Sequence, residues 1–367
     1  MIIDKNIFVK KCVDLISPKE IFGNIFNFKK NSFFINSNKF LYSDFSNVNI
    51  IGVGKTASYE VEAMAFKFIN AGAKSKLGSI ISYTKHKHTV RNDKIVQFEG
   101  DHPYLTKKNI NISKKLVALM ESFGENDLNV FFISGGASSL FEIPLEKVSN
   151  NLAIEIYKDL ISSGQNINEI NQIRKSLSDI KNGGLLKYIE SKNVFTFINC
   201  DIPNGNIYDV GSSPLFYQKI DNDYVNAFLK RFNLQVNGQK SIAKDCPSCV
   251  WMNGDIFLEK LSKYLSEDFI IGKIYDCSLD DCVKELKNLI PNNNFNHLSG
   301  GECTLKVPIN SGKGGRNTHF VAQMAQSLYQ NKIYQDVKIL SFGTDGTDGP
   351  TDAAGAYIDF NMYEKAK

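Results

Sequence analysis

Strand-like apolar segments alternate with helical segments between residues 48 and 200, and this alternation constrains the fold more than any other feature of the chain. The predicted strands are Val48–Val53, Gly78–Tyr83, Ile95–Phe98, Leu128–Ile133 and Val194–Ile198. The predicted helices cover residues 56–71, 106–123, 145–163 and 167–182. Alternation at this spacing is typical of βαβ units. We therefore predict an α/β fold built on a mostly parallel sheet.

A second, shorter series of elements follows a polar segment at residues 231–247. Helices are predicted at 256–265, at 281–289 and from Arg316 to Tyr329, and strands at Phe269–Tyr275, Cys303–Val307 and Val337–Phe342. The chain has 367 residues, more than the roughly 250–300 at which a single core stops growing. We therefore predict two domains, residues 1–235 and 245–367. The first 45 residues show a weak helical pattern and then a polar stretch rich in Phe and Asn.

Composition excludes several classes of protein. A net charge of +4, from 43 Lys and Arg against 39 Asp and Glu, is too small to indicate a nucleic-acid binder. No apolar run approaches the roughly 18–20 residues that cross a bilayer, and the N-terminus lacks the pattern of a signal peptide. Seven scattered cysteines favour free thiols in the cytoplasm over a disulfide framework. Cys246 and Cys249 have zinc-ligand spacing, but the nearby Cys277 and Cys282 that would complete a site are irregularly spaced.

The first glycine-rich turn, Gly52-Val53-Gly54-Lys55-Thr56, lies between a predicted strand and a predicted helix. It is not a P-loop, because Asn49 occupies the position of the first glycine. Gly52, Gly54 and Ala57 fit a dinucleotide-binding turn, but no acid follows the next strand to bind the ribose hydroxyls, although a basic run there could meet a 2′-phosphate. The same residues are consistent with an anion bound at the helix N-terminus next to Lys55. They are also consistent with a simple tight turn.

Two further turns follow predicted strands. Ser134-Gly135-Gly136 is small enough for backbone N–H groups to surround a phosphate, although a plain tight turn has the same composition. Asp201 follows the strand that begins at Val194, and Asp209 lies in the next loop. Acids in this position are a common way to hold Mg²⁺, and capping of a helix is the alternative for Asp201.

The C-terminal half adds two more glycine-rich segments. Gly300-Gly301-Glu302 and Gly312 to Arg316 resemble an anion cradle in which Lys313 and the Arg316 guanidinium bind phosphate, with a surface hairpin as the alternative. Residues 343–349 place Asp345 and a second acid between glycines. Backbone cradles, basic side chains and acids are together the groups that phosphoryl transfer requires. The residues alone therefore favour a kinase and leave its substrate open.

The order of these motifs resembles the glycerate 2-kinase family, from about Val48 to Asp359. The matching segments are Gly54-Lys55, His102-Pro103, Ile133 to Gly136, Asn171 to Gly184 with Arg174, Gly300 to Glu302, Gly314 to Asn317, and Gly343 to Gly355. The last segment, GTDGTDGPTDAAG, is long and specific. The resemblance implies a Rossmann-like N-terminal domain, a C-terminal MOFRL domain and an active site in the cleft between them.

The resemblance also implies ATP-dependent phosphorylation of the 2-hydroxyl of glycerate, or of a related hydroxy or sugar acid, to give 2-phosphoglycerate with Mg²⁺. It assigns Lys55 to the transferring phosphoryl oxygens, Arg174 and Arg316 to substrate carboxylate and phosphate, and Asp345 to proton abstraction or metal binding, with Asp201 as a second acid. Further substrate-binding candidates are Ser134, Gly135, Gly136 and His102. Further nucleotide-binding candidates are Gly54, Gly301, Glu302, Lys313, Gly314 and Gly315.

The sequence departs from the family pattern at three places. Tyr104-Leu105-Thr106 follows the His-Pro pair where Pro-Asp is usual, and residues 211–214 read Gly-Ser-Ser-Pro in place of a Gly-Pro-Thr turn. The family also extends several tens of residues past the position of Asp359, so we expect a shortened C-terminus. The alternatives are an NADP-dependent hydroxypyruvate reductase and a non-catalytic homologue. A monomer or a homodimer is expected.

Overall fold

The computed structural model describes residues 4–163, 165–202, 206–236, 241–242, 244, 246–265, 269–290, 296–305, 312–330 and 337–359. These residues form two compact units, and each is described here by itself. The large unit is Pro18–Asn253, and the small unit combines Met1–Ser17 with Gly254–Lys367. The predicted domain limits of 1–235 and 245–367 stay a prediction.

A six-stranded parallel sheet is the framework of the large unit. Its strands are β4 (Val48–Val53), β5 (Leu77–Lys85), β6 (Val96–Gly100), β7 (Leu128–Ser134), β8 (Val194–Asn199) and β9 (Ser248–Met252). They lie in the order β6-β5-β4-β7-β8-β9, and all neighbours are parallel. Nearly all residues of β4, β7 and β8 are buried, as expected for central parallel strands covered on both faces. The predicted α/β fold with a parallel sheet is confirmed.

Helices connect these strands, as the alternating pattern predicts. The helices of the large unit are α2 (Pro18–Ile25), α3 (Ala57–Asn70), α4 (Lys107–Met120), α5 (Ala137–Leu140), α6 (Asn150–Ser162), α7 (Ile167–Leu177) and α8 (Asn222–Leu229). Two predicted helix limits are wrong. Helix α6 begins only after Ser149, whose hydroxyl caps it by accepting from Leu152 N, and α7 ends at Leu177 because Ser178 is extended and pairs with Pro144.

The Phe-rich N-terminal stretch forms strands that the sequence analysis missed. Strands β1 (Phe26–Lys29), β2 (Ser32–Ile35) and β3 (Asn38–Leu41) make an antiparallel meander. Its aromatic rings pack onto the unit's core: Phe33 lies 5.1 Å from Phe68 of α3, and Phe26 lies 5.2 Å from Phe197 of β8. The stretch therefore covers one face of the parallel sheet. Strand β9 was also missed.

The small unit contains helices α1 (Lys5–Ile16), α9 (Gly254–Tyr264), α10 (Leu279–Leu289) and α11 (Arg316–Gln330). Strands β10 (Phe269–Tyr275) and β11 (Asn296–Gly301) are parallel, and β12 (Ile339–Phe342) and β13 (Gly355–Ile358) are antiparallel. The predicted strand Cys303–Val307 is wrong in its described part, because the chain pairs earlier, at residues 296–301, and Thr304 makes only a single bridge. Within the described ranges, no helix is long and apolar enough to cross a membrane.

Candidate functional site

The carboxyl ends of β4 and β7 meet at the point where the strand order of the large unit reverses. From β4 the chain proceeds to β5 and β6 on one side, and from β7 to β8 and β9 on the other. Open parallel sheets bind their ligands in the crevice outside such a switch point. The turns that the sequence analysis selected, at Gly54-Lys55 and Ser134-Gly135-Gly136, follow β4 and β7 directly.

Glycines allow these two turns to touch. Gly54 has φ of +130°, and a Cβ there would lie 2.3 Å from Ser134 Oγ. One backbone bond joins the two turns, from Lys55 N to Gly135 O at 2.8 Å, and Gly54 N donates to Tyr83 O of β5 at 3.0 Å. Any side chain at Gly54 would separate the turns, so this glycine holds Lys55 in place.

Lys55 and Asp201 form an ion pair at the mouth of the crevice. The distance from Lys55 Nζ to Asp201 Oδ2 is 3.6 Å, and the side chains are 24% and 42% exposed. Gly135 makes the approach possible, since a Cβ there would lie 1.8 Å from the same carboxylate oxygen. A Cβ on Gly136 would lie 3.0 Å from the His102 ring and from Lys55 Cγ. The crevice therefore joins a cation, an acid and an imidazole around glycine backbone.

Glu60, which the sequence analysis missed, is fully buried beneath the Lys55 turn. Its Oε1 accepts from Trp251 Nε1 of β9 at 3.2 Å. Asn199 at the end of β8 donates to Thr56 Oγ1 at 3.2 Å. Burial raises the pKa of Glu60 to about 7, although its hydrogen bonds with the side chains of Thr56, Asn199 and Trp251 act to lower it. Glu60 thus links the turn after β4 to strand β9.

Glu60→Gln should stabilise the protein relative to wild type increasingly as pH rises from 5 to 8. The folded state keeps a proton on Glu60 up to about pH 7. The unfolded chain releases that proton near pH 4.3, so wild-type stability is lost with rising pH in this window. Glutamine still accepts from Trp251 but does not titrate. We expect a relative gain of about 2–3 kcal/mol in the free energy of urea unfolding.

Glu60→Ala is the comparison variant, because it leaves the Trp251 N–H without its acceptor. It should lose about 1–3 kcal/mol relative to Glu60→Gln at both pH values. A difference between wild type and Glu60→Gln that is equal at pH 5 and pH 8 would contradict the buried titration.

A hydrogen-bonded chain connects α7 to the loop after β7. Ser138 Oγ lies 3.0 Å from Ser212 Oγ, which donates to Asn171 Oδ1 of α7 at 2.9 Å. Asn171 Nδ2 in turn donates to Asp209 Oδ1 at 3.1 Å, and Asn206 Nδ2 donates to Asp209 Oδ2 at 2.9 Å. Both oxygens of Asp209 are therefore used inside the protein, and the suggestion that Asp209 joins Asp201 at a metal is not supported by its contacts.

Arg174 is 8% exposed, so it does not lie on a solvated helix face. Its guanidinium carbon lies 5.2 Å from the Tyr157 ring centroid, and Tyr157 donates to Glu142. Lys181 Nζ lies 2.7 Å from Glu142 Oε2. Arg174 Nε has no hydrogen-bond acceptor among the described residues, and burial lowers the pKa of Arg174. A buried cation with an unsatisfied donor is suited to an anionic ligand.

In the small unit, Arg316 is the first residue of α11. Its Nη1 lies 2.7 Å from Glu302 Oε1, and the two side chains are 44% and 46% exposed. Glu302 follows β11 and is positioned by its backbone N–H, which donates to Tyr275 O at 3.0 Å. Gly301 has φ of +137° and approaches the Tyr275 backbone where a Cβ would not fit. Lys313 and Gly314 lie exposed just before the helix.

Asp345 and Asp348, the two acids between Gly343 and Gly349, have different surroundings. Asp348 is 2% exposed, and its carboxylate accepts from Asn317 N at 2.9 Å and from Thr318 N at 2.8 Å. Burial works to raise the pKa of Asp348, but these hydrogen bonds outweigh it and hold the pKa below its ordinary value. Asp348 thus caps α11 by accepting from two N–H donors of its first turn, which directly follow the predicted anion cradle.

Asp345 lies on the exposed part of the same loop. Its Oδ1 accepts from Thr347 N at 3.1 Å and from Thr347 Oγ1 at 2.9 Å. The short local bonds form a turn that presents the acid at the surface of the small unit. Of the two acids in this motif, Asp345 is therefore the one placed to meet a ligand.

Asp348→Ala should destabilise α11 by about 2–3 kcal/mol, because two N–H donors of its first turn lose a charged acceptor. Faster amide hydrogen exchange along α11 would report the loss. Asp345→Asn is the matched control, since asparagine can still accept from Thr347 and the Asp348 carboxylate stays in place. Equal protection of α11 in both variants would contradict the capping role of Asp348.

The structure brings together part of the predicted site. Lys55, Asp201, Gly135, Gly136 and His102 lie at one edge of the large unit, with Gly54 and Ser134 directly behind them. Arg174 lies on α7, whose Asn171 is joined through Ser212 to Ser138, two residues after Gly136. Arg316, Glu302 and Asp345 lie on loops of the small unit. No group of three or more His, Cys, Asp or Glu among the described residues is arranged to hold a metal ion.

Comparisons with known proteins agree with this architecture. A family model described as a domain of unknown function, DUF4147, matches residues 5–245, and the MOFRL family model matches residues 295–367. The D-glycerate 2-kinase of Thermotoga maritima is 27% identical over 343 residues, 87% of this chain and 80% of that protein. A putative hydroxypyruvate reductase of Agrobacterium vitis is 26% identical over 335 residues, 84% of this chain and 75% of that protein.

The fold is also found in a solved structure. The crystal structure of a Thermotoga maritima glycerate kinase has a TM-score of 0.75 to this chain at 24% identity, covering 96% of this chain and 85% of that one. The DUF4147 match spans well over half of the chain, and the MOFRL match follows it in the same order as the motifs. The chain therefore belongs to the glycerate 2-kinase family of phosphotransferases.

Proposed function

We propose that this enzyme transfers the γ-phosphoryl group of ATP to the 2-hydroxyl of glycerate and releases 2-phosphoglycerate. The Lys55–Asp201 pair, 3.6 Å apart above the glycine turns after β4 and β7, is the observation that carries the proposal. Phosphoryl transfer depends mainly on positioning and on neutralising the charge of the phosphoryl oxygens. A lysine held at the switch point of a parallel sheet supplies that charge where a phosphate would bind.

The remaining roles follow from charge and exposure. Lys55 binds the transferring phosphoryl oxygens, and the N–H groups of Ser134, Gly135 and Gly136 surround them. Arg174 supplies a buried cation for the acceptor carboxylate, and His102 is a further substrate-binding residue. In the small unit, Arg316 binds phosphate, with Gly301, Glu302, Lys313, Gly314 and Gly315 forming the nucleotide loops. Asp345 takes the proton of the acceptor hydroxyl.

Asp201 fits Mg²⁺ as a single carboxylate ligand, since it is exposed and shares its charge with one lysine. Magnesium commonly binds through one or two carboxylates together with substrate phosphates. Bound there, the ion would supply further neutralisation of the phosphoryl oxygens. Asp345 is the second proposed acid for the metal.

Reduction of hydroxypyruvate with NADP is the second candidate, favoured by the similarity to the putative hydroxypyruvate reductase of Agrobacterium vitis. The packing of Gly52 against Val61 and Ala57 also suits a dinucleotide-binding turn. The acids nearest to the end of β5 belong to β6 and its loop. They pair with His86, at 3.0 Å for Asp101 and 3.7 Å for Glu99. The kinase is preferred because His86, Lys87 and His88 follow β5, where a ribose-binding acid would lie, and because Glu99 and Asp101 are paired with His86.

The deciding experiment incubates purified protein with ATP, Mg²⁺ and a panel of small hydroxy acids and sugar acids while ADP release is measured. We expect glycerate to give the highest rate, with ³¹P NMR identifying 2-phosphoglycerate. A parallel assay follows nicotinamide absorbance with hydroxypyruvate. Oxidation of NADPH without ADP release from any acceptor would overturn the kinase in favour of the reductase.

Asp345→Asn should lower the rate of glycerate phosphorylation by about 10²-fold, since general-base assistance typically contributes 10²–10⁴-fold. The fold should be retained, because asparagine can still accept from Thr347 N and Thr347 Oγ1. Asp255→Asn, at an exposed acid of α9, is the matched control. Normal turnover in Asp345→Asn would remove this acid from the mechanism.

A further inference from the structure

Three of the seven cysteines come together in the small unit. Cys277 follows β10, Cys282 lies in the first turn of α10, and Cys303 follows β11. Two backbone bonds join their loops: Thr304 N donates to Cys277 O and Leu279 N donates to Thr304 O, both at 2.9 Å. Ser278 and Thr304 form a parallel bridge, so Cys303 lies beside Cys277 on neighbouring segments, next to the first turn of α10 that carries Cys282.

The surroundings of Cys303 favour its thiolate. Hydrogen bonds from Cys282 and Cys277 and the charge of Arg316 outweigh burial and lower the pKa of Cys303 to about 7. The hydrogen bond to Cys303 and burial raise the pKa of Cys282 instead. Burial raises the pKa of Cys12 to about 12 and that of Cys200 to about 11. At neutral pH the cluster therefore offers one nucleophilic sulfur beside two thiols.

Access matches this difference. Cys303 and Cys277 are partly exposed, whereas Cys282 is 4% exposed beneath them. All three are free thiols. A small oxidant can therefore reach Cys303, and Cys282 lies on the adjoining first turn of α10 for a second step.

We propose that Cys303 is a peroxide-reactive thiol that forms a reversible disulfide with Cys282. The Cys303 thiolate attacks hydrogen peroxide, the O–O bond breaks, and a sulfenic acid and one water are produced after proton uptake. The Cys282 sulfur then attacks the sulfenic sulfur, the S–O bond breaks, and the second water leaves. Two thiols are oxidised by two electrons in all, and one peroxide is reduced to two waters.

Oxidation at Cys303 should change the surroundings of Glu302 and Arg316 in the proposed nucleotide-binding loops. Cys303 directly follows Glu302, whose carboxylate lies 2.7 Å from Arg316. The disulfide removes the thiolate charge near Arg316 and draws the end of β11 towards α10. We therefore expect lower phosphotransferase activity in the oxidised protein; this expectation, unlike the disulfide itself, rests on the proposed function.

The test oxidises the reduced full chain with hydrogen peroxide, removes the excess with catalase, and counts thiols under denaturing conditions. Two of seven thiols should disappear and return with dithiothreitol, and mass spectrometry should identify a peptide joining Cys282 to Cys303. Cys303→Ser should abolish this loss, Cys282→Ser should accumulate a dimedone-reactive sulfenic acid, and Cys200→Ser should behave like wild type.

Three results would overturn the proposal: no loss of thiols, an equal loss in Cys303→Ser, or a disulfide from Cys303 to Cys277 in place of Cys282. Stoichiometric metal released when the thiols are titrated would also overturn it, because the cluster would then be a metal site. ADP release measured before and after oxidation separates the two ideas. A reduced protein without kinase activity refutes the proposed function and leaves the disulfide result unchanged.

Discussion

Lys55→Ala is expected to reduce the rate of glycerate phosphorylation by about 10²–10³-fold, the usual cost of removing one preorganised group that stabilises transition-state charge. The loss should fall mainly on kcat, because the role proposed for the lysine is on the phosphoryl group in transfer. Its backbone bonds to Gly135 and its place after β4 do not depend on the ammonium group. The folded structure should therefore persist.

The control for Lys55 is Lys114→Ala, which removes an exposed lysine from the outer surface of α4. Steady-state kinetics and the thermal midpoint of both variants should be measured together. Normal kcat in Lys55→Ala would exclude the lysine from catalysis. A fall in thermal midpoint matching the fall in activity would mean that Lys55 acts on folding.

Arg316→Ala is expected to lower turnover by about 10³-fold, at the lower end of the effect of arginines that stabilise phosphoryl transfer. Arg316→Lys should recover only part of this loss, because lysine keeps the charge but not the planar pair of donors. The ion pair with Glu302 is half-exposed on both sides, so its contribution to stability is small. The effect should therefore appear in the kinetics and not in unfolding.

Arg231→Ala is the matched control for Arg316, because Arg231 also forms a half-exposed ion pair, with Asp159. Its kinetics should match wild type. If Arg316→Lys were as active as wild type, Arg316 would serve as a simple point charge. If Arg316→Ala were fully active, Arg316 would have no part in phosphate binding.

The position of the large unit's crevice was predictable from local sequence alone. Glycine turns after apolar strands identify the carboxyl ends of β4 and β7, and a parallel sheet necessarily gathers those ends at one edge. Lys55 and Asp201 meet for this reason, although they lie far apart in the chain. The β1–β3 meander escaped prediction because its strands have four residues each, too few to show a clear alternation.

The functions of similar acids could not be distinguished from sequence. Asp201 and Asp209 follow the same strand, yet only Asp209 is enclosed by Asn171 and Asn206. Glu60 is an acid on a helix like many surface residues, and only the arrival of Trp251 from β9 shows that it is buried. These differences arise from contacts between distant segments, which no local pattern records.

Asp348 couples the loop that carries Asp345 to the helix that begins with Arg316. Its carboxylate holds the first turn of α11, while Gly349 and Gly315 pack so closely that a Cβ on either would collide with the other segment. A shift of the acid-bearing loop must therefore carry the guanidinium with it. The positions of Asp345 and Arg316 are therefore mechanically dependent on each other, so if both take part in catalysis as proposed, a ligand that moves one of them must also move the other.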